Sequence, residues 1–167
     1  ITTLATLALP VFTLLEREES ARVLRQFLNL VASARSAAIR LGHPVTLCPV
    51  DDRNRCTGNW QTGAMLYVDV DQDRQRSNNE ALLSVAHWHD LQGDLHWRAF
   101  GNRQYLLVDH YGGLTGQNGN LTWCPALDGA EPAHQLVLNG SGRFRFARDD
   151  DGDGLREDSR GQPLRCR

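Results

Sequence analysis

From Ile1 to Leu15 the chain carries no charged residue, and at Glu16, Arg17, Glu18 and Glu19 this changes abruptly. Beyond the junction Leu24, Phe27, Leu28, Val31, Ala34, Ala38 and Leu41 recur at three- and four-residue spacing. Arg22, Arg25, Gln26, Asn29, Ser33, Ser36 and Arg40 fill the other faces. The pattern predicts one long amphipathic helix. Gly42 suits the left-handed conformation that ends a helix, Pro44 forbids continuation, and Arg40 complements the negative end of the dipole. Pro10 lacks an amide hydrogen and clashes with the preceding turn, so a kink or local loosening is expected there.

After Leu41 the period changes from the helical one to short strands and turns. His43 to Val50 alternates and is rich in β-formers, Asp51 to Gly63 is turn-rich, and Ala64 to Val70 reads as a second strand closed by the polar run Asp71 to Glu80. The segments 81–91, 93–100 and 103–110, separated by Gly93, Gly101 and Asn102, read as antiparallel strands. Residues 111–120 form a glycine-rich loop and 121–126 a short strand. HQLVLN (134–139) and GRFRFAR (142–148) make a hairpin turning at Gly140 and Ser141. One long helix followed by many short strands gives an α+β domain, with the helix stripe packed on a twisted sheet.

The length of 167 residues fits one domain with a sizeable core. A formal net charge of -2 argues against whole-surface attraction to nucleic acid and leaves room for a local basic patch. All 18 basic residues are Arg; coding bias accounts for this as well as phosphate binding does. Cys48, Cys56, Cys124 and Cys166 form an even set without a CxxC pair, which favours disulfides over structural zinc and implies an oxidising compartment. Three connectivities exist. Cys48 with Cys56 and Cys124 with Cys166 is preferred, since the first two flank one turn and the last ties down a tail. The apolar stretch to Leu15 is shorter than the roughly 20 residues that a spanning helix needs; further apolar residues ahead of it would let it span. The absence of an initial Met suggests a processed or trimmed chain, and the unbroken run into the helix disfavours a cleaved secretory signal.

ALPVF (8–12), SARSAAIRLGHPVTLCP (33–49), CTGNW ahead of an aromatic strand ending in DVD, and the closing LVLNGSGRFRF resemble the GspH/FimT group of minor pilins and pseudopilins. The likeness spans essentially the whole chain. It implies a type IV pilin fold: a helix of residues 1–41 on an antiparallel β-sheet head of residues 42–167, with disulfide-tied strands or loop at the C-terminus. Residues 1–15 would be the membrane and assembly part, and 16–41 the part packed on the head. The group's Gly-Phe-Thr-Leu-x-Glu processing motif is absent, which fits first residues lost or removed. The resemblance implies a methylated helix that sits in the inner membrane and later packs with other major and minor pilins in a filament, its head facing the periplasm or the medium. The expected function is a minor pilin that primes a type IV pilus or sits at its tip. The alternatives are a FimT-like DNA receptor for natural transformation and a GspH-like type II secretion pseudopilin.

The DNA receptor reading rests on Gly142-Arg143-Phe144-Arg145, which resembles a Gly-Arg-x-Arg motif of that branch that the priming branch also carries. Strand alternation puts Arg143 and Arg145 on one face, where they can meet phosphates, while Phe144 and Phe146 enter the core. Arg148, Arg165 and Arg167 would help. An ordinary solvated strand face is the plainer account.

Asp149, Asp151, Asp153 and Gly154 copy the start of an oxygen-ligand calcium loop, with the Leu155 backbone and Glu157 at later ligand positions. Arg160 stands where the bidentate Glu belongs, and an acidic loop paired with nearby arginines is the simpler alternative. A bound calcium would neutralise the acids between Arg148 and Arg165 and leave a basic tail for phosphate. Asp69, Asp71 and Asp73 form a weaker run without the glycine. His87, His89 and His96 suggest a transition-metal site or a polar sheet face. Trp60, Trp88, Trp97 and Trp123 suit base stacking or, more commonly, packing. No nucleophile elbow, phosphate loop or His-Glu-x-x-His is present, and Asp109 and His110 point to opposite faces, so neither an enzyme nor an obligatory cofactor is expected.

Overall fold

The computed structural model describes residues 5–89, 91–126 and 132–166, with only the backbone considered for residues 5–17. Among the described residues a single α-helix, α1 (Ala5–Leu41), precedes eight strands: β1 (Val45–Pro49), β2 (Gly63–Val68), β3 (Leu82–His87), β4 (Gly93–Ala99), β5 (Leu106–Val108), β6 (Gly119–Pro125), β7 (His134–Leu138) and β8 (Phe144–Phe146). The expected α+β class holds. The helix ends as its sequence dictates: Gly42 takes φ 68° and its amide donates to the Ala38 carbonyl at 2.9 Å. It runs through Pro10 without interruption.

Instead of one sheet there are two, each four-stranded and antiparallel, in the orders β3-β2-β1-β5 and β4-β6-β7-β8. The segment 103–110, expected beside its neighbours in sequence, contributes only the three residues of β5, which pair with Val45 to Leu47 of β1. Alternation states which face a residue takes and not which strand lies beside it. β4 keeps the alternation of a half-buried strand, with Leu95 and Trp97 inside and Asp94, His96 and Arg98 outside. β1 and β2 are buried throughout. One of their faces meets α1; the other carries a small second cluster of Cys48, Val50, Met65 and Tyr67.

The main core lies between α1 and both sheets. Val23, Leu24, Phe27, Leu30, Val31, Ala34, Ala37 and Ala38 supply the helix side. The stripe is therefore shifted from the predicted one: Leu28 is only half-buried and Leu41 is exposed, while Val23, Leu30 and Ala37 take part. Glu19 and Arg35 fasten the helix to loops. Both Glu19 carboxylate oxygens accept the Gln92 amide at 3.0 Å. Arg35 donates from Nε to the Gly112 carbonyl at 2.9 Å and from Nη1 to the Gly142 carbonyl at 3.1 Å. The cysteines pair as preferred from sequence, Cys48 with Cys56 and Cys124 with Cys166.

Candidate functional site

The Gly142–Arg145 motif sits where β7 turns into β8. Asn139 organises the turn: its carbonyl accepts the Gly142 amide at 2.9 Å, and its Oδ1 accepts the Arg143 amide at 2.9 Å and the Ser141 hydroxyl at 2.7 Å. Gly142 has φ 76° and is buried against the helix; a Cβ there would lie 3.1 Å from Arg35 Nη1. The glycine is thus needed both for the backbone conformation and for the approach of Arg35.

Register then sets the directions. Phe146 stands beside Leu136 on the core side, and Arg145 beside Val137 on the outer side. Val137 pairs with Asn120 and Asn120 with Arg98, so Arg98 and Arg145 end one cross-strand row. Three strand spacings separate them by about 14 Å. Arg143 and Arg145 are both exposed, with Arg143 Nε donating to Ser141 Oγ at 3.2 Å. The two phenylalanines do not share one fate. Phe144 packs partly on the core, whereas Phe146 is 46% exposed, because β8 is an edge strand with nothing beyond it to cover the ring.

The C-terminal segment crosses the outer face of this second sheet and is tied to β6 by Cys166. Between segment and sheet runs an open polar cleft whose walls include His96, Arg98, Gln135, Asp158, Arg160 and Arg165. Arg160 is engaged, with Nε and Nη2 donating to Asp158 Oδ2 at 3.0 and 2.8 Å. That side-chain bond, with the Arg160 and Gln162 amides, holds the half-buried Asp158 carboxyl below its ordinary range. Arg148 and Arg165 are exposed, and among the described residues no carboxylate pairs with Arg143, Arg145, Arg148 or Arg165. Arg167 lies outside the described residues. Arg98 was not among the sequence candidates, although its alternation with the inward Trp97 carried the signal.

The acidic loop follows β8. Asp149, Asp151, Asp153 and Glu157 each bring a carboxylate oxygen within 4.8 Å of the others. The three aspartates are exposed and Glu157 is buried. Asp69, Asp71 and Asp73 converge in the same way on the first sheet. There Asp69 is buried and accepts the Thr46 hydroxyl at 2.6 Å; desolvation raises its pKa, partly offset by the Thr46 bond.

Other sequence candidates disperse. His87 contacts Asn54 Oδ1 at 3.0 Å and its ring lies 6.1 Å from that of His89, but His96 belongs to the other sheet, so the three do not form one site. Trp60, Trp88, Trp97 and Trp123 are all buried, and none presents a face for base stacking. Asp109 Oδ1 accepts the Tyr111 and Gly113 amides, a turn-forming role, with no relation to His110.

Among curated proteins none matches the chain. The Pseudomonas aeruginosa (strain PAO1) type IV minor pilin FimU, in its P21 crystal form, shares the fold with a TM-score of 0.60 at 16% identity, over 80% of this chain and 91% of that one. Its P65 form gives 0.54 at 14% identity, over 74% and 89%. The helix and antiparallel sheets are thus those of a type IV pilin fold. The family model described as "Type II transport protein GspH" matches residues 23–142, from the packed part of α1 to the glycine of the Gly-Arg-x-Arg turn. With more than half of its length so matched, the chain belongs to the GspH family.

Proposed function

We propose that this chain is a minor pilin of a type IV pilus, incorporated through its N-terminal helix and acting in assembly, priming or at the tip. The division of α1 carries the reading. Its C-terminal part is committed to the head core from Val23 to Ala38, while the same helix continues N-terminally to Ala5 through a sequence without charge before Glu16. A sequence so apolar is suited to packing with other helices of its kind. No helix among the described residues is long and apolar enough to cross a membrane. In this reading the helix rests in the inner membrane, its N-terminus methylated, before it joins other pilins. The head faces the periplasm and then the medium, which suits two disulfides. The protein is structural and not an enzyme.

Antibody to the head should detect the chain in sheared pili, and its deletion should lower surface piliation several-fold. Intact pili in the deletion strain, with secretion of exported proteins lost, would instead make it a type II secretion pseudopilin.

A second reading is favoured by Arg143 and Arg145, both exposed at an edge strand and free of carboxylate partners among the described residues: a FimT-like contact with DNA during uptake. Arg148 and Arg165 would extend the surface, with Arg167 beyond them. In a gel shift at low salt, Arg143→Gln with Arg145→Gln should weaken binding at least tenfold. The slope of log affinity against log salt should shrink by about 2, one for each phosphate contact removed. Wild-type protein that shifts no DNA at low salt removes this reading and leaves the first intact.

A further inference from the structure

Four carboxylates within 4.8 Å of one another repel unless something positive lies among them. Neighbouring arginines are the ordinary remedy, and here they are elsewhere. Arg160 is turned onto Asp158, and Arg156 Nη1 contacts His134 Nε2 at 3.5 Å. Among the described residues no arginine pairs with Asp149, Asp151, Asp153 or Glu157.

Glu157 supplies the observation that a merely solvated acidic loop does not explain. It is 6% exposed, and its Oε2 accepts the Asp150 amide at 2.7 Å. Its Oε1 is buried without any hydrogen-bond partner. A carboxylate oxygen withdrawn from water and left unmatched is costly, and buried charges are ordinarily paired or coordinate a metal. The same carboxylate has an oxygen in the cluster with the three aspartates. The backbone around it is already curled: Gly152 and Gly154 have φ 82° and 90°, and Asp149 accepts the amides of both, at 2.6 and 2.9 Å.

We propose that Asp149, Asp151, Asp153 and Glu157, with the Leu155 carbonyl by its place in the loop, bind a calcium ion. An all-oxygen donor set without nitrogen or sulfur selects a hard cation. Calcium accepts six to eight oxygens in adaptable geometry, whereas magnesium demands a near-octahedral shell and retains its waters. The position that would complete the shell with a bidentate Glu is Arg160, committed to Asp158. The shell is therefore completed by water, and the affinity falls in the class of extracellular modules, roughly 10⁻⁴ to 10⁻³ M. The ion would fasten the loop from which the C-terminal segment departs: the Glu157 amide donates to the Arg148 carbonyl, and Glu157 bridges Pro163.

The test is calcium titration of the full chain, first stripped with EGTA, by calorimetry and by thermal melting. One calcium should bind, and melting should rise by about 3 °C at a calcium concentration ten times Kd. An equal concentration of magnesium should have less effect. Glu157→Gln and Asp151→Asn should each abolish the response. If Glu157→Gln fails to fold, Asp151→Asn decides, since Asp151 is exposed and contributes only one bond, to the Asp153 amide at 3.1 Å. No calcium heat and no melting shift in wild-type protein would overturn the proposal. So would a response that survives Asp151→Asn and disappears with Asp71→Asn, which would move the ion to the Asp69 group.

Discussion

Replacing Cys124 and Cys166 by serine is expected to lower the unfolding free energy by about 4 kcal/mol. The bridge spans a sequence separation of 42, and closing a loop of that length removes chain entropy from the unfolded state by about this amount at room temperature. Cys48–Cys56, at a separation of 8, should contribute about 2.5 kcal/mol on the same basis. Urea midpoints of the two serine pairs give the order directly. A typical domain has only about 5–15 kcal/mol in total, so loss of the long bridge should take a large share of it. If its removal costs under 1 kcal/mol, the segment it holds adds no cooperative structure to the head. The loss should also widen the cleft that the segment borders, exposing the buried Gln135 to solvent.

Phe27→Ala should be nearly as damaging, at about 3–5 kcal/mol. Phe27 is fully buried where three parts of the fold meet. Its ring lies 5.4 Å from Trp60, in the loop after β1, and 5.8 Å from Trp97 on β4, and those two rings are themselves 5.4 Å apart. Truncation leaves a cavity that rigid indoles cannot collapse into, which places the cost toward the upper end of the range. Phe27→Leu retains most of the volume and should cost less than half as much. Urea unfolding followed by tryptophan emission reads both variants, and the Ala variant should also show a red-shifted native spectrum. A cost below 1 kcal/mol would mean that the helix does not join the two sheets through this cluster.

Much of the architecture could be read from residue pattern, because its determinants are local. The helix stripe, the Gly42 stop, the β7–β8 turn and the preferred cysteine pairing each depend on a few neighbouring positions. The division into two sheets does not, since β5 leaves its sequence neighbours to pair with β1, and nothing in RQYLLVDH specifies that partner. The same limit applies to the candidate surfaces. Alternation gave Arg145 its outward direction correctly, but the exposure of Phe146 follows from β8 being an edge, which is a property of the assembled sheet. The orphaned Glu157 oxygen was likewise invisible, because burial depends on what packs around the loop. The bonds of Arg35 were equally out of reach, although the residue lies in the SARSAAIRLGHPVTLCP run. It sits among polar helix positions, and its partners are carbonyls far away in sequence.

The helix is riveted at two points by directional bonds, Glu19 to the Gln92 amide and Arg35 to the Gly112 and Gly142 carbonyls. Sixteen residues of α-helix, about 24 Å, separate them. An apolar stripe resists withdrawal but tolerates sliding and rolling; hydrogen bonds at both ends do not. A torque applied to α1 ahead of Glu19 would therefore load both rivets together. The torque would thus reach the head at two separate places, the Gln92 loop ahead of β4 and the β7–β8 turn, whose glycine carbonyl Arg35 holds.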